Sequence, residues 1–441
     1  MRELKNHPSP DQLDSYDKYP CYYENDLELV YTPQQSIFTL WAPSADNVRL
    51  NLYSSGEAGD PEEQLEMDIA DNGTWCIHID RDLKGSFYTF QIEKDGKWLD
   101  ETPGIWAKAV GINGNRAAVI DWNETNPEGW ESDQSPELKM YSDIILYELH
   151  HRDFSIDPNS GIEHKGKLLA LTETPTTRIR EFKEMVKSLH QNGFRIVLDV
   201  VYNHTASTEH SNFDLTVPGY LYRQNPDGSY SNASGCGNET ASEREMVRHY
   251  IIESVKFWAK EYHIDGFRFD LMGIHDIDTM NQLREELLKI DPTIFVYGEG
   301  WVAADSPLPF EQRAVKENVR KMKGISVFND EFRDGLKGST FDEQEPGYAS
   351  GNINGHFEPV KYGIVGGTQH PQVDYSGLLY CDGPYAAAPS QMINFVSCHD
   401  GYTLVDKLKL SVQGEHSEEE LVPIDKLIHT VLLTSQGIPF I

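Results

Sequence analysis

Four short apolar runs, each ending in acidic, basic or amide side chains, constrain the fold of this 441-residue chain most strongly. They are Ile196–His204, Ile264–Asp270, Ile294–Trp301 and Met392–Asp400. The alternative reading is four unrelated strand ends, in which each charged residue simply caps a strand or faces water. Because the carboxyl ends of parallel strands meet at one face of a barrel, the recurrence predicts a single active site built from several strand ends.

Length and charge limit the classes of protein to which the chain can belong. A chain of 441 residues is expected to form two or three domains. Its net charge of −33 argues against nucleic-acid and anionic-membrane partners, which both need a basic surface. No apolar run approaches the length of a membrane span. The polar start, MRELKNHPSP, and the five cysteines without a CxxC pair predict a cytoplasmic protein with reduced thiols.

The first third of the chain has the pattern of a small β-sandwich. Residues 1–20 are polar and read as a tail. Residues 21–122 alternate apolar and polar positions, as in Val48–Leu52, with turn signals such as Asp95–Gly96 between the runs. Residues 123–140, rich in proline, glycine and polar side chains, are predicted to be a linker.

From residue 141 to residue 441 strand-like and helix-like segments alternate. Ile144–Leu149 reads as a strand, and apolar residues recur at helical spacing in Ile179–Leu189, Val247–Tyr262 and Met280–Ile290. Such alternation is typical of a parallel sheet with helices outside it. The predicted fold is therefore α/β, an N-terminal β-sandwich followed by a (β/α)8-type barrel.

The predicted barrel is incomplete. Only about 45 residues separate the first strand from the one that begins near Arg195, and they include a helix and the polar loop Asp157–Thr177. Since a βα unit needs about 30 residues, a second strand and its helix do not fit. Leu171–Thr174 joins onto the next helix as if a segment had been removed, and the sequence stops at Gly437–Ile441, inside the last strand. We therefore expect seven barrel strands, with a gap between the first and the third strand of an eight-stranded barrel.

Two carboxylates have the surroundings that glycoside hydrolysis requires. In Gly266–Asp270 strand alternation puts Arg268 and Asp270 on one face, and a neighbouring arginine keeps a carboxylate ionised, as suits a nucleophile. Glu299 lies between two glycines with apolar neighbours and no adjacent base, so its pKa is expected to be raised, as a general acid needs. Such a pair about 5–5.5 Å apart predicts a retaining glycosidase.

Other polar residues are expected nearby. His399 and Asp400 would bind sugar hydroxyls and stabilise an oxocarbenium-like transition state. Simpler roles remain open for single residues: a buried ion pair for Arg268 with Asp270, a loop position for Glu299, and helix capping for Asn203 and His204.

No cofactor or metal is predicted. His204, His275 and His399 lack the spacing of zinc ligands. The loop Asn225–Asn238 is rich in amide side chains and leaves calcium open, although it lacks a recognisable ligand spacing. Cys398, beside His399, reads as a packed strand thiol in preference to a nucleophile.

At these residues the chain resembles the α-amylase superfamily, glycoside hydrolase family thirteen. Its four signatures resemble Asp199–His204, Gly266–Asp270, Gly298–Trp301 and Phe395–Asp400. The resemblance implies that Asp270 is the nucleophile, Glu299 the acid/base and Asp400 the transition-state stabiliser. It also implies substrate-binding or supporting roles around subsite −1 for Arg268, His204, His399, Asn203, Asp199 and Trp301.

Within that superfamily the chain is most similar to the type I pullulanases. Asp270–Asp276 continues the second signature as in that group, and Glu148–Ser155 looks like its first barrel strand. Phe38–Pro43 resembles the start of a family forty-eight carbohydrate-binding module, and Ala107–Gly114 resembles the segment joining that module to the barrel. The group's Tyr-Asn-Trp-Gly-Tyr-Asp-Pro motif is missing from this chain.

The resemblance implies an enzyme that hydrolyses the α-1,6 links of pullulan, glycogen or limit dextrins by a retaining double displacement, with an α-glucan as its partner. Because the barrel is incomplete, two alternatives stay open: a catalytically impaired glucan-binding remnant, and a branching or transferring relative. Trp41, Trp75 and Trp98 are candidates for stacking on glucan, with core packing as the commoner role of such residues.

Overall fold

The computed structural model describes residue 13 and residues 15–150 and 175–441. The predicted junction at Leu171–Thr174 and most of the predicted loop Asp157–Thr177 therefore lie outside the described residues, as does the end of Glu148–Ser155. The last three residues of that loop prediction are described, and they begin a helix at Pro175.

The N-terminal region consists of two antiparallel sheets. Its strands are β1 Glu28–Thr32, β2 Gln35–Trp41, β3 Asn47–Tyr53, β4 Glu63–Glu66, β5 Asp68–Ile69, β6 Thr74–Ile79, β7 Phe87–Lys94, β8 Lys97–Trp98 and β9 Ala117–Ala118. One sheet has the order β1-β2-β6-β5, and the other has the order β4-β3-β7-β8 with β9 also on β7. Alternate residues of both sheets are fully buried between them, among them Phe38, Leu50 and Phe90. The predicted β-sandwich is confirmed.

The three sandwich tryptophans differ in exposure. Trp41 and Trp75 are 1% and 3% exposed, so core packing, the commoner of the two roles considered, holds for both. Trp98 is 36% exposed, and the guanidinium of Arg49 lies 4.3 Å from the centre of its ring.

The C-terminal region is built on a parallel sheet. Its strands are β10 Val197–Val200, β11 Gly266–Phe269, β12 Phe295–Gly298, β13 Ile325–Phe328, β14 Met392–Asn394 and β15 Ile438–Pro439, paired in that order. A seventh segment joins through a parallel bridge between Leu146 and Phe440. In the described part of the chain no pairing links the Leu146 segment to β10. The seven predicted strand segments are therefore present, and the sheet is open between the first and the next described segment.

Eight α-helices occur in the described residues, and none combines the length and the apolar character that crossing a membrane requires. They are α1 Pro175–Gln191, α2 Asn212–Thr216, α3 Glu245–Glu261, α4 Ile277–Ile290, α5 Asp330–Lys337, α6 Ile353–Ile364, α7 Leu404–Ser411 and α8 Glu418–Thr434. Asp276 caps α4, since its side chain accepts a hydrogen bond from the amide of Thr279. The predicted stripe of that helix is buried, with Met280, Leu283 and Leu287 all inaccessible.

The segment predicted as a linker packs against the barrel helices. Lys183 of α1, fully buried, donates to Thr125 Oγ1 at 2.9 Å. Asp133 Oδ2 lies 2.8 Å from Nδ1 of His190, whose Nε2 lies 2.9 Å from Asp265 Oδ2. These buried contacts join the segment to α1 and to the turn before β11.

Candidate active site

Strand register brings the predicted polar residues together at the carboxyl edge of the parallel sheet. Asp199 on β10 is the register partner of Arg268 on β11, and Phe269 is the partner of Gly298 on β12. Asp270 and Glu299 follow directly after these two strands, so both carboxyl groups leave the sheet at the same edge.

Arg268 is the centre of the site. Its Nη1 lies 2.9 Å from both Asp199 Oδ1 and Asp270 Oδ1, and its Nη2 lies 2.7 Å from Glu299 Oε1. Its side chain is only 7% exposed. The simple ion pair considered for Arg268 and Asp270 is thus one part of a larger arrangement in which a single guanidinium fixes three carboxylates.

A second group holds Asp270. The side-chain amide of Asn203, which is fully buried, donates at 2.8 Å to Asp270 Oδ2 and at 2.8 Å to its main-chain oxygen. The Asn203 Oδ1 atom accepts a hydrogen bond from Nδ1 of His204. The helix-capping alternative for Asn203 and His204 is therefore wrong, because the next helix, α2, is capped by Ser211.

Glu299 is buried in the site. It is 6% exposed, and its Oε2 accepts a hydrogen bond from the amide of Leu271 at 2.9 Å. Burial raises the pKa of Glu299 to about 7, although Arg268 and the Leu271 amide oppose the shift. The raised pKa was predicted. The expectation of no adjacent base is wrong, because Arg268 contacts Glu299, but desolvation raises the pKa of Glu299 more than Arg268 lowers it.

Leu271 was not identified from the sequence. It follows Asp270 in a left-handed conformation, with φ of 38°, which is uncommon for a residue with a branched side chain. This conformation directs its amide to Glu299. Backbone strain of this kind, of the order of 1–3 kcal/mol, leaves no mark in residue type and is visible only in the folded chain.

His399 and Asp400 occupy the more open side of the site. The Nε2 of His399 lies 3.3 Å from Asp400 Oδ1, and the Asp400 side chain is 58% exposed. Glu148, which the sequence analysis did not assign to the site, contacts His399 twice: Oε1 lies 2.7 Å from Nδ1, and Oε2 accepts from the main-chain amide at 3.0 Å. Partial burial lowers the pKa of His399, but Glu148 and Asp400 raise it more. Glu148 ends the first strand segment, so the strand-end rule used for the other residues would have found it.

Potential metal ligands in the site are already engaged. Glu148, Asp199 and His399 each place a ligand atom within 4.8 Å of the others. The histidine nitrogen, however, is hydrogen-bonded to Glu148, and Asp199 is paired with Arg268. We read the group as a polar network.

The zinc and calcium alternatives find no support among the described residues. His275 is inaccessible, and burial lowers its pKa to about 4, whereas His399 lies in the open part of the site. In the Asn225–Asn238 loop, amide and hydroxyl groups bond to one another or to the main chain, as in Asn225 Nδ2 to Ser229 Oγ at 3.1 Å. In that loop the described residues bring together no three imidazole, thiol or carboxylate groups.

Trp301 and Cys398 lie at the edge of the same site. Trp301 is partly buried, and its ring lies 6.3 Å from that of Phe328. Cys398 is partly buried in the same apolar cluster, and burial raises the pKa of its thiol, in agreement with a packing role.

Several known proteins are similar to this chain, both in its sandwich and over most of its length. The model of carbohydrate-binding module 48 (isoamylase N-terminal domain) matches residues 26–105. The pullulanase of Bacillus subtilis (strain 168) is 35% identical over 485 positions that include 95% of this chain, and the chain spans 65% of that relative's length. The pullulanase 1 of Arabidopsis thaliana chloroplasts is 28% identical over 95% of this chain and 58% of its own length.

The alignment with the Bacillus subtilis protein also contains an internal length difference. Since 95% of 441 residues is about 419, about 66 of the 485 aligned positions have no residue in this chain. That number exceeds the ~30 residues of one βα unit.

Solved structures give the same result. A pullulanase of Paenibacillus barengoltzii, in complex with maltohexaose and α-cyclodextrin, superposes with a TM-score of 0.90 and is 38% identical, over 96% of this chain and 74% of that one. The pullulanase of Bacillus acidopullulyticus has a TM-score of 0.87 and is 36% identical over 96% of this chain and 57% of its own. With a module-48 sandwich, a parallel sheet and this identity over nearly its whole length, the chain belongs to the pullulanase family, within the α-amylase superfamily.

Proposed function

We propose that the protein is a debranching glycoside hydrolase that cleaves α-1,6-glucosidic links by a retaining double displacement. The observation that carries the proposal is the Arg268 guanidinium bound at once to Asp270 and Glu299, at the carboxyl edge of the parallel sheet. Arg268 contacts both carboxyl groups, but the Asp270 side chain is 22% exposed, whereas that of Glu299 is 7% exposed and its burial raises its pKa to about 7. A nucleophile that stays ionised and a general acid that stays protonated need carboxyl groups that differ in this way.

In the first step an oxygen of Asp270 attacks the anomeric carbon, and the bond to the leaving glucosyl oxygen breaks. Glu299 supplies the proton to that oxygen, and its pKa of about 7 keeps a substantial fraction protonated at neutral pH. Arg268 and Asn203 hold Asp270 in the orientation for attack. In the second step Glu299 takes a proton from water, water attacks the same carbon, and Asp270 is released.

His399 and Asp400 are proposed to bind the sugar on the open side of the site. Glu148 fixes the imidazole through Nδ1, which leaves Nε2 toward Asp400. A carboxylate in this position stabilises positive charge that develops on the sugar ring. His204, Asp199 and Trp301 complete the proposed substrate-binding residues. The proposed partner is an α-glucan, as in the maltohexaose complex of the Paenibacillus barengoltzii relative.

The second candidate, a catalytically impaired glucan-binding remnant, is favoured by the open sheet. No described residue pairs the Leu146 segment with β10, although Glu148 and Asp199 from these two segments both belong to the site. A displacement of about 1 Å between catalytic groups costs on the order of a hundredfold in rate. This candidate predicts glucan binding without turnover.

Product analysis separates the candidates. The purified chain is incubated with pullulan and, in parallel, with linear amylose, beside an Asp270→Asn variant whose circular dichroism matches that of the parent. Debranching predicts maltotriose from pullulan and no shortening of amylose, with no product from the variant. Longer or rearranged chains would indicate a transferase. Binding without any product from the folded parent would establish the remnant.

A further inference from the structure

Tyr380, in the loop between α6 and β14, is an exposed aromatic residue whose orientation is fixed by several contacts. It is 37% exposed, although its main-chain amide donates to Glu331 Oε1 and its hydroxyl group donates to Asp334 Oδ2. The Nζ atom of Lys316 lies over its ring, 5.2 Å from the ring centre. Contacts at the main chain, the hydroxyl group and the ring hold this side chain in one orientation.

Glu331 fixes the main chain that carries Tyr380. It is fully buried, its Oε2 accepts from the amide of Leu379 at 2.8 Å, and its Oε1 accepts from the amides of Tyr380 and Cys381. A buried carboxyl group is costly unless it is hydrogen-bonded. Here all three of these bonds go to one short stretch of loop, so the buried group serves to hold that loop in place.

Lys316 connects Tyr380 to the proposed general acid. Lys316 is 5% exposed, and its main-chain amide donates to the oxygen of Gly300 at 2.8 Å. A Cβ added at Gly300 would lie 2.7 Å from the same amide nitrogen, so the two segments are in direct contact. Gly300 follows Glu299 in the chain. Tyr380 therefore lies on the Glu299 side of the site.

The end of β13 connects the same loop to Arg268. Asp330, two residues after that strand, has its Oδ1 2.7 Å from the Nζ atom of Lys316. The last residue of the strand is Phe328, whose ring centre lies 6.0 Å from the guanidinium of Arg268. Tyr380 is thus held at the carboxyl edge of the parallel sheet, where the proposed catalytic groups also lie.

We propose that Tyr380 is a stacking platform for a glucosyl unit of the leaving chain, the part of the α-glucan that is released when Glu299 donates its proton. The faces of a glucose ring carry C–H groups that pack on an aromatic ring. A ring that is already held in place loses little freedom when the sugar binds. The inference rests on the proposed function, because the role of Glu299 as general acid defines which side of the site the leaving chain occupies.

Isothermal titration calorimetry of the full chain carrying Asp270→Asn measures the platform without turnover. The ligand is the hexasaccharide of pullulan, in which one α-1,6 link joins two maltotriose units. We expect Tyr380→Ala to raise the Kd about tenfold, or ~1.4 kcal/mol, and Tyr380→Phe, which keeps the ring, to change it by less than about threefold. Tyr23→Ala is the matched control, because Tyr23 is 57% exposed and bonds a carboxylate of Glu245 but belongs to the N-terminal region.

Steady-state kinetics with Asp270 intact assigns the ring to the leaving side. α-Maltosyl fluoride releases only fluoride and has no leaving chain. We therefore expect Tyr380→Ala to lower kcat/KM for pullulan about tenfold and to leave kcat/KM for the fluoride unchanged. Equal losses with both substrates would contradict the assignment to the leaving side.

A double-mutant cycle tests the positioning role of Glu331. Glu331→Gln should weaken hexasaccharide binding when Tyr380 is present and have no further effect in the Tyr380→Ala variant. A loss of the same size in both backgrounds would show that Glu331 does not act through Tyr380.

The calorimetry and the product analysis can fail separately. Hexasaccharide binding that Tyr380→Ala does not weaken, or no binding by the folded Asp270→Asn chain, would overturn the platform. No product from pullulan, with hexasaccharide binding that still depends on Tyr380, would contradict the proposed hydrolysis and the leaving-side assignment but leave the ring as a glucan contact.

Discussion

At the scale of single residues, the charge and orientation of Asp270 depend on two donors that come from different strands. Arg268 neutralises the carboxylate from its own strand, and Asn203 reaches it from the segment after β10. Both polar atoms of the Asn203 side-chain amide are hydrogen-bonded: Nδ2 donates to Asp270, and Oδ1 accepts from His204. Asn203 is therefore a positioning residue whose loss should affect chemistry more than binding.

We expect Asn203→Ala to lower kcat on pullulan by about a hundredfold, because a misplaced nucleophile loses on the order of that factor. KM should change much less, since Asn203 is fully buried. Steady-state kinetics measures both constants, with Asn225→Ala as the matched control because its amide bonds only within the Gln224–Tyr230 hairpin. An unchanged kcat in a folded Asn203→Ala variant would contradict the assigned role.

The second residue-scale prediction concerns Glu299, whose pKa is raised to about 7. A general acid acts in its protonated form, so kcat/KM should fall as pH rises through about 7, approaching tenfold per pH unit above it. With an activated glycosyl fluoride, whose leaving group needs no proton, fluoride release by the parent should lack this alkaline limb. A limb that persists with the fluoride would assign the titration to another group.

At the scale of elements, the carboxyl ends of β11 and β12 are held at a close separation that only glycine permits. A Cβ at Gly298 would lie 2.6 Å from the main-chain oxygen of Phe269, an atom that cannot move without parting the strands. The same strand ends carry Asp270 and Glu299. Strand packing and catalytic geometry therefore depend on one another here.

Gly298→Ala should lower the free energy of unfolding by about 1–3 kcal/mol, the range for overpacking a buried site. It should also lower kcat, because the strands that carry the two carboxyl groups move apart. Urea denaturation measures the stability change. Gly383→Ala is the control, since a Cβ at that position meets nothing within 4 Å. Equal stabilities of the two variants would show that β11 and β12 tolerate the extra atom.

At the scale of elements, the sequence predicts several strands of this structure but not every feature of the site. The strands near Val197, Gly266 and Phe295 were predictable, because each is a short apolar run bounded by polar residues. The contact of Asp270 with Arg268 followed from period-two alternation, whereas its contact with Asn203 did not. The Leu271 conformation was not predictable, since backbone strain is not encoded in residue type.

At the scale of the whole molecule, the sandwich and the barrel helices are joined by a buried polar cluster as well as by aromatic packing. His190 lies between Asp133 and Asp265, both side chains being 1% exposed. Burial lowers the pKa of His190, but the two carboxylates raise it more, so the net shift is upward. The imidazole thus ties the segment after the sandwich to the barrel through its two carboxylate partners.

A raised pKa makes the folded state bind the proton more strongly than the unfolded chain. The stabilisation by His190 is therefore fully present below about pH 6.5, the value for an unfolded histidine, and is lost as pH rises through the raised pKa. We expect the difference in Tm between the parent and His190→Gln to be largest near pH 6 and to shrink toward pH 9. His416→Gln, an exposed histidine, is the control. A difference that does not change with pH would show that His190 acts without its charge.

Among the described residues, the missing pairing between the Leu146 segment and β10 is the feature of the fold that bears most on function, because Glu148 and Asp199 reach the site from these two segments. The most direct measurement is peptide mass spectrometry of a trapped covalent intermediate. Glu299→Gln is reacted with α-maltosyl fluoride, which forms the glycosyl-enzyme without an acid but leaves it without a base for hydrolysis. The account predicts one maltosyl group on the peptide that carries Asp270 and none in the Asp270→Asn, Glu299→Gln double variant. A folded variant that gives no adduct, or an adduct on another residue, would contradict it.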